Sequence, residues 1–116
     1  MMSHVHELNR ITVSLNVECK SIGSYLLGYI DPEDEFIPLY PGRSDTNLRN
    51  RLYKHVSFGD FTHFRFFPTQ RVRDAYHQEC RDYHLLHRSG ITNIIHPGHP
   101  KGLPYSCPYC PKGGVN

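Results

Sequence analysis

The sequence has no tryptophan, only two methionines and no long hydrophobic run in its 116 residues. A membrane-spanning helix needs ~20 apolar residues, and no stretch approaches that length, so we expect no membrane partner. The first ten residues, MMSHVHELNR, lack the apolar segment of a signal peptide, which predicts a cytoplasmic protein. In that compartment the four cysteines suit metal binding, packing or catalysis better than disulfides.

A strong excess of either charge is also missing. The net charge of +2 excludes a chain that is polybasic throughout, so any contact with nucleic acid must come from local clusters. Positive residues do cluster in the middle of the chain, and we expect contacts to DNA from Arg43, Arg49, Lys54 and Arg65. Such a run is equally typical of a solvated helix face. The absence of internal repeats excludes a solenoid.

The residues that are present fit one small domain. Apolar residues make up 38% of the chain, including eight tyrosines and six phenylalanines. A domain of this size buries roughly two-thirds of the surface that its unfolded chain exposes. We divide the chain into a flexible N-terminus (1–10), a folded domain (11–95) and a tail rich in Pro, Gly, His and Cys (96–116).

Five stretches have the apolar patterns of β-strands. Residues 11–17 (ITVSLNV) alternate with period two, residues 23–30 are nearly all apolar, and residues 36–40 return after an acidic turn. Pro38 has no backbone N–H, which predicts an edge strand or a bulge at that point. Two further strands are expected at residues 61–67 and 91–95.

Two helices are predicted between these strands. The first follows Tyr40-Pro41-Gly42, is capped by Ser44 or Asp45, and carries Arg51 and His55 on one face because they lie four residues apart. The second covers residues 70–88.

Glu79 lies within the apolar stripe of this second helix. Burying an unpaired carboxylate costs several kcal/mol, so we expect Glu79 to meet a cation, a metal ion or hydrogen-bond donors. The alternative is a glutamate at the edge of the stripe that reaches water or pairs with an arginine.

These residues form an ordered set: Gly23-Ser24-Tyr25 and Tyr40-Pro41-Gly42 on two strands, Arg51 and His55 on one helix, Glu79 on the next, and then Asn93. The set resembles the GIY-YIG nuclease superfamily over roughly residues 23–93. The resemblance implies a small α/β (α+β) fold in which helices flank a three-stranded antiparallel sheet. To this fold the sequence adds an N-terminal strand and a zinc-stapled C-terminal tail.

The resemblance also implies an endonuclease that hydrolyses phosphodiester bonds in DNA with one divalent ion, Mg²⁺ or Mn²⁺. Glu79 would be the ligand of that ion, Arg51 the cation that contacts the phosphate, and Tyr25 the general base or the hydroxyl that orients water. The remaining positions would complete the catalytic set or support the pocket: Tyr40, His55, Gly23, Gly42 and Asn93. The substrate could be branched, damaged or foreign DNA, with or without a protein partner.

Three features depart from the family pattern. Ser24 replaces an aliphatic residue, Pro41 removes a backbone donor from the second motif, and fourteen residues separate Tyr25 from Tyr40 because of the acidic turn. They motivate an alternative function, a catalytically weak or inactive module of the same fold that binds nucleic acid or protein.

The tail carries Cys107-Pro-Tyr-Cys110, a spacing that supplies two thiolates of a tetrahedral Zn²⁺ site. We expect Cys80 and His84, at i and i+4 of the long helix, to complete the ligand set, with His96 and His99 as the alternative partners. Packed or unpaired thiols are a further alternative. A redox pair is disfavoured because no helix follows the motif to lower the pKa of a thiol.

Overall fold

A computed structural model describes residues 4–110 of the chain. The described chain forms an α+β domain with the elements β1 (His6–Glu7), α1 (Arg10–Asn16), β2 (Ile22–Ile30), β3 (Phe36–Ser44), α2 (Leu48–Phe58), β4 (His63–Thr69) and α3 (Val72–Arg88). The predicted fold class is therefore confirmed.

The sheet is antiparallel throughout, with strand order β1-β4-β2-β3. The nearly continuous apolar run of β2 lies in its interior between β3 and β4, as expected for a strand that is covered on both faces. β3 is an edge strand, and the pairing with β2 shifts between Leu27 and Gly28, opposite Tyr40 and Pro38. The bulge or edge position that Pro38 predicts is thus confirmed on both counts.

The N-terminal strand is present, but it is not at residues 11–17. That segment is helix α1, which Asn9 caps by accepting a 2.8 Å hydrogen bond from the Thr12 amide. The prediction of a strand there was wrong because only part of the alternating apolar set is buried: Val13 is fully buried, whereas Ile11 and Leu15 are 74% and 79% exposed. The strand is the shorter β1, His6–Glu7, which pairs with β4.

The two faces of the sheet carry separate apolar clusters. α1 and α2 cover one face with a core that includes Tyr25, Leu27, Leu52 and Phe64. α3 packs against β2 and β3 on the other, where Leu26 and Leu86 meet Ile94. Neighbouring residues of β2 thus serve opposite faces.

Two local predictions need correction. The cap of α2 is Asn47, whose side chain accepts from the Asn50 amide at 3.1 Å, while Ser44 ends β3 and its hydroxyl accepts from the Thr46 and Asn47 amides. Residues 91–95 form no strand. Ile94 instead packs under α3, because the chain turns back over the helix after Gly90.

Candidate active site and metal-binding group

A cleft of about 380 Å³ opens beside the edge strand β3. Four residues that the sequence nominates for catalysis line it, from four elements: Tyr25 on β2, Tyr40 on β3, Arg51 on α2 and Glu79 on α3. Gly42, nominated as a support, lines it too. The fold thus brings together residues that lie up to 54 positions apart in the sequence.

Gly42 is required by the position of the Tyr25 ring. The two residues face each other across the β2–β3 ladder, and a Cβ at position 42 would lie 2.3 Å from Cζ of Tyr25. Any larger residue would have to displace the ring. Without that Cβ the ring crosses β3 and the hydroxyl reaches the cleft, where it lies 2.9 Å from Nε2 of His55.

The Tyr25–His55 pair is a hydrogen bond between two neutral groups. Burial raises the pKa of Tyr25 well above its usual value, against an opposing effect of the Arg51 charge, so its phenol is neutral. Burial, together with the charge of Arg51, lowers the pKa of His55, so its imidazole is neutral at pH 7. A neutral imidazole can accept a hydrogen bond from the phenol, which a protonated one could not do.

Tyr40 and Arg51 form the exposed part of the cleft. The Tyr40 ring is 39% exposed and lies 5.6 Å from the His55 ring, so it closes the site beside the Tyr25–His55 pair. Arg51 projects from the first turns of α2 and is exposed. A guanidinium in this position can meet an anion from solvent.

The Glu79 side chain is mostly buried and is paired, as its place in the apolar stripe predicts. Its Oε1 accepts a 2.8 Å hydrogen bond from Arg43, and the two side chains are 12% and 11% exposed. Burial raises the pKa of Glu79, while the Arg43 charge works against that rise. Arg43 also donates to both oxygens of Asp45, at 2.7 Å and 3.2 Å. One guanidinium therefore holds two carboxylates in the cleft.

Sequence reasoning missed the three ionisable members of this cleft that complete its charge pattern. It assigned Asp45 to a helix cap and Arg43 to DNA contact, whereas the two form an ion pair beside Glu79. The inward carboxylate required a cation, but nothing in the sequence distinguishes Arg43 from its basic neighbours. The third member is His99, which lines the cleft together with Gly98. It was considered only as a zinc ligand.

The other basic residues nominated for DNA contact are dispersed. Arg49 hydrogen-bonds the carbonyls of Ser14 and Val17, so it ties α2 to α1. Lys54 is exposed on α2. Arg65 lines a different and larger cleft, of about 520 Å³, that contains none of the nominated catalytic residues.

The two remaining residues nominated as supports, Gly23 and Asn93, lie in different parts of the domain. Gly23 lies on β2, where a Cβ would meet the Phe67 carbonyl oxygen at 2.4 Å, so the strands could not approach this closely around a larger residue. Asn93 lines a small pocket of about 240 Å³ that also includes Tyr40 and Glu79.

A second site lies at the end of α3. His84, His96, Cys107 and Cys110 place one ligand atom each within 4.8 Å of one another, and this His₂Cys₂ group could bind zinc. Nε2 of His84 is 3.4 Å and 3.5 Å from the two sulfurs, and Nε2 of His96 is 3.2 Å from that of Cys110. Tetrahedral zinc separates its N and S ligands by about 3.5 Å, so the spacing fits.

The tautomer of His96 is also the one that a zinc ligand requires. Its Nδ1 lies 2.9 Å from the carbonyl of Pro97. A carbonyl oxygen only accepts, so Nδ1 carries the proton and Nε2 presents a lone pair toward the sulfur atoms. This is the outer hydrogen bond that orients metal-binding histidines.

The expected ligand Cys80 is replaced by the alternative His96. Cys80 packs with Tyr76 and Cys107 in a buried cluster, one turn of α3 before His84. Burial and the neighbouring Cys107 raise the pKa of its thiol, as they do for Cys110, so geometry and not acidity separates Cys80 from the group. None of the four cysteines forms a disulfide within residues 4–110.

The fold and the two sites define an α+β domain with a charged cleft and a potential metal-binding group. Comparisons with protein families, curated proteins and solved structures found no match. The similarity to the GIY-YIG superfamily therefore stays a prediction from the sequence. No helix in residues 4–110 has the length and apolar character needed to cross a membrane.

Proposed function

We propose that this protein is a metal-dependent endonuclease that hydrolyses phosphodiester bonds in DNA. The supporting observation is that Tyr25, Tyr40, Arg51 and Glu79 line one cleft. Together with His55, which hydrogen-bonds Tyr25, they supply a proton-accepting pair, a cation and a carboxylate, which are the groups that phosphodiester hydrolysis requires.

Arg51 binds the scissile phosphate. Its guanidinium stays charged at any physiological pH and can donate two parallel hydrogen bonds to the nonbridging oxygens. The backbone of Arg51 is fixed in α2, on the side of the helix that lines the cleft. Removal of such a donor typically costs about 10²–10³ in rate.

Tyr25 and His55 accept the proton of the attacking water. A neutral phenol is a poor base by itself, so the Tyr25 oxygen takes the proton of the water as the phenolic proton moves to Nε2 of His55. The two transfers must be coupled, because the raised pKa of Tyr25 and the lowered pKa of His55 oppose transfer between those two groups alone. The low pKa of His55 keeps that nitrogen available at neutral pH.

The carboxylates fit a hard divalent cation. Mg²⁺ or Mn²⁺ is held in proteins by one or two carboxylates together with waters and substrate phosphates, and Glu79 and Asp45 line the same cleft. Glu79 has a second oxygen, Oε2, that could contact the ion while Oε1 keeps its bond to Arg43. When bound, the ion would polarise the phosphate and lower the pKa of water.

The His₂Cys₂ group holds a structural Zn²⁺ in this proposal. Four protein ligands leave no open coordination position, which is characteristic of structural rather than catalytic zinc. Because His84 lies on α3 and the other three ligands lie in the tail, the ion would fasten residues 96–110 to the helix that carries Glu79. Reduced thiols of this kind suit the cytoplasm.

One observation favours a second function, a phosphate-binding module without catalysis. Glu79 is already neutralised by Arg43. If this pair excluded a metal ion, Arg51 could still bind a phosphate, and the cleft would recognise DNA without cleaving it. DNA binding without cleavage would support this alternative over the nuclease.

The test is cleavage of a supercoiled plasmid in the presence of Mg²⁺ or Mn²⁺. We expect the wild type to nick or linearise the plasmid, and Glu79→Gln to reduce the rate at least about 100-fold. Glu33→Gln, an exposed glutamate of the β2–β3 turn, is the matched control and should cut normally. An intact plasmid with wild type, or equal rates for the two variants, would refute the proposal.

A further inference from the structure

The segment between two ligands of the metal-binding group lines the active cleft. His96 and Cys107 belong to the His₂Cys₂ group, and Gly98 and His99 between them line the cleft with Arg51 and Glu79. Residues 97–106, here called the tail loop, are therefore flanked by two members of one potential metal site.

His99 is held in a defined orientation inside the loop. Its Nδ1 hydrogen-bonds the carbonyl of Tyr105, so Nδ1 carries the proton and Nε2 lies on the opposite side of the ring. The ring lies 5.8 Å from that of Tyr76, which is fully buried. Tyr76 also lies under the Arg43 guanidinium, at 5.0 Å. Ring contacts thus connect His99 to the cation that holds Glu79.

Cys107 and Tyr105 anchor the far end of the loop. Cys107 is 2% exposed and belongs to a buried cluster with Tyr76 and Cys80, against which Tyr105 packs. The near end is fixed by His96 and by Ile94, which packs beneath α3. Without the metal, two of these attachments would rest on thiols and imidazoles that have only weak hydrogen bonds to each other.

We propose that His99 contacts the phosphate of the substrate and that the metal in the His₂Cys₂ site holds it in the cleft. This inference rests on the proposed nuclease function. With a proton on each ring nitrogen, Nε2 donates a charge-assisted hydrogen bond to the phosphate while Nδ1 keeps its bond to Tyr105. The metal site thereby becomes a condition for activity, although it lies outside the cleft.

Steady-state cleavage and zinc content of four variants test this. His99→Ala should keep one zinc per chain and cut at least about 30-fold more slowly. His99→Gln, which retains an N–H donor without the charge, should recover part of that loss. His84→Ala should lose the zinc and cut about as slowly as His99→Ala. His87→Ala, an exposed histidine of the same helix, is the matched control and should change neither zinc nor rate.

The double variant His84→Ala/His99→Ala separates positioning from a general loss of structure. If the metal acts through His99, the double variant cuts no more slowly than either single variant; independent effects would multiply. Hydrogen exchange should show faster exchange in residues 97–106 after His84→Ala, with β2 and β3 still protected.

Three results would overturn the inference. The first is a normal rate for His99→Ala, the second is no recovery with His99→Gln, and the third is full activity without zinc. If Glu79→Gln and Arg51→Ala abolish cleavage while His99→Ala does not, only this inference fails. If wild type leaves DNA intact, the proposed function fails and this inference fails with it.

Discussion

The ion pair between Arg43 and Glu79 can be tested without assuming any activity. Arg43→Ala would leave the Glu79 carboxylate without its cation at a position where only 12% of its side chain is exposed. Breaking a buried pair by removing one partner costs about 3–5 kcal/mol. We take the lower end, about 3 kcal/mol, because a tenth of each side chain still reaches water. At about 4 °C per kcal/mol, the melting temperature should fall by about 12 °C.

The loss should depend on pH in a defined direction. The pKa of Glu79 is raised in the folded state, so its contribution to stability is greatest at low pH and is lost as pH rises through the folded pKa. Arg43→Ala removes the cation that opposes this rise, so the pKa of Glu79 should rise further. The difference in melting temperature between wild type and variant should therefore be larger at pH 8 than at pH 4.5.

The melting temperatures are measured by thermal unfolding monitored with circular dichroism. Two further variants serve as comparisons for Arg43→Ala. Asp45→Asn removes the other partner of Arg43, which is 30% exposed, and should cost less than about 1 kcal/mol. Arg43→Ala/Glu79→Gln removes the stranded charge and should recover much of the lost stability. Equal losses for Arg43→Ala and Asp45→Asn, or a loss that does not change with pH, would refute the reasoning.

Three other predictions follow from the cleft and the metal-binding group. Gly42→Ala places a Cβ against the Tyr25 ring, so it should cost about 1–3 kcal/mol in chemical denaturation and slow cleavage; unchanged stability would contradict this packing. The pKa of His55 is lowered and its neutral form accepts the proton, so the cleavage rate should rise with pH, with a midpoint below about 6.5. A midpoint above that value, or the same pH profile in His55→Ala, would contradict the role of His55. Chelation should release one zinc per chain and lower the melting temperature of wild type but not of Cys110→Ser; equal lowering in both would contradict the ligand set.

The sequence predicted the central part of the fold because its patterns there are strong. β2 is almost wholly apolar. Pro38 predicts the bulge in the pairing of β3 with β2, and the apolar stripe of α3 predicts that Glu79 faces inward. The prediction for residues 11–17 failed because the pattern there is weak. Their alternation is compatible with a strand, and only the Asn9 cap and the packing of Val13 make the segment a helix.

The sequence allowed us to nominate residues of the site but not to predict which side chains they pair with. Tyr25, Tyr40, Arg51 and Glu79 were nominated and do share a cleft. The cation that pairs with Glu79 was not identified, since several arginines lie close together in sequence and only the register of β3 selects Arg43. The fourth metal ligand depended likewise on how the tail folds back over α3, which no local pattern indicates.

The central claim is that Arg51 and its cleft act on a DNA phosphate, and the single-turnover rate of plasmid cleavage tests it most directly. Wild type, Arg51→Ala and Arg73→Ala should be compared with Mg²⁺ at saturating protein; Arg73 is an arginine of α3 that lies outside the cleft, with its side chain 46% exposed. We predict that Arg51→Ala cuts at least about 100-fold more slowly than wild type and that Arg73→Ala cuts at the wild-type rate. The same rate for Arg51→Ala and Arg73→Ala would contradict the account.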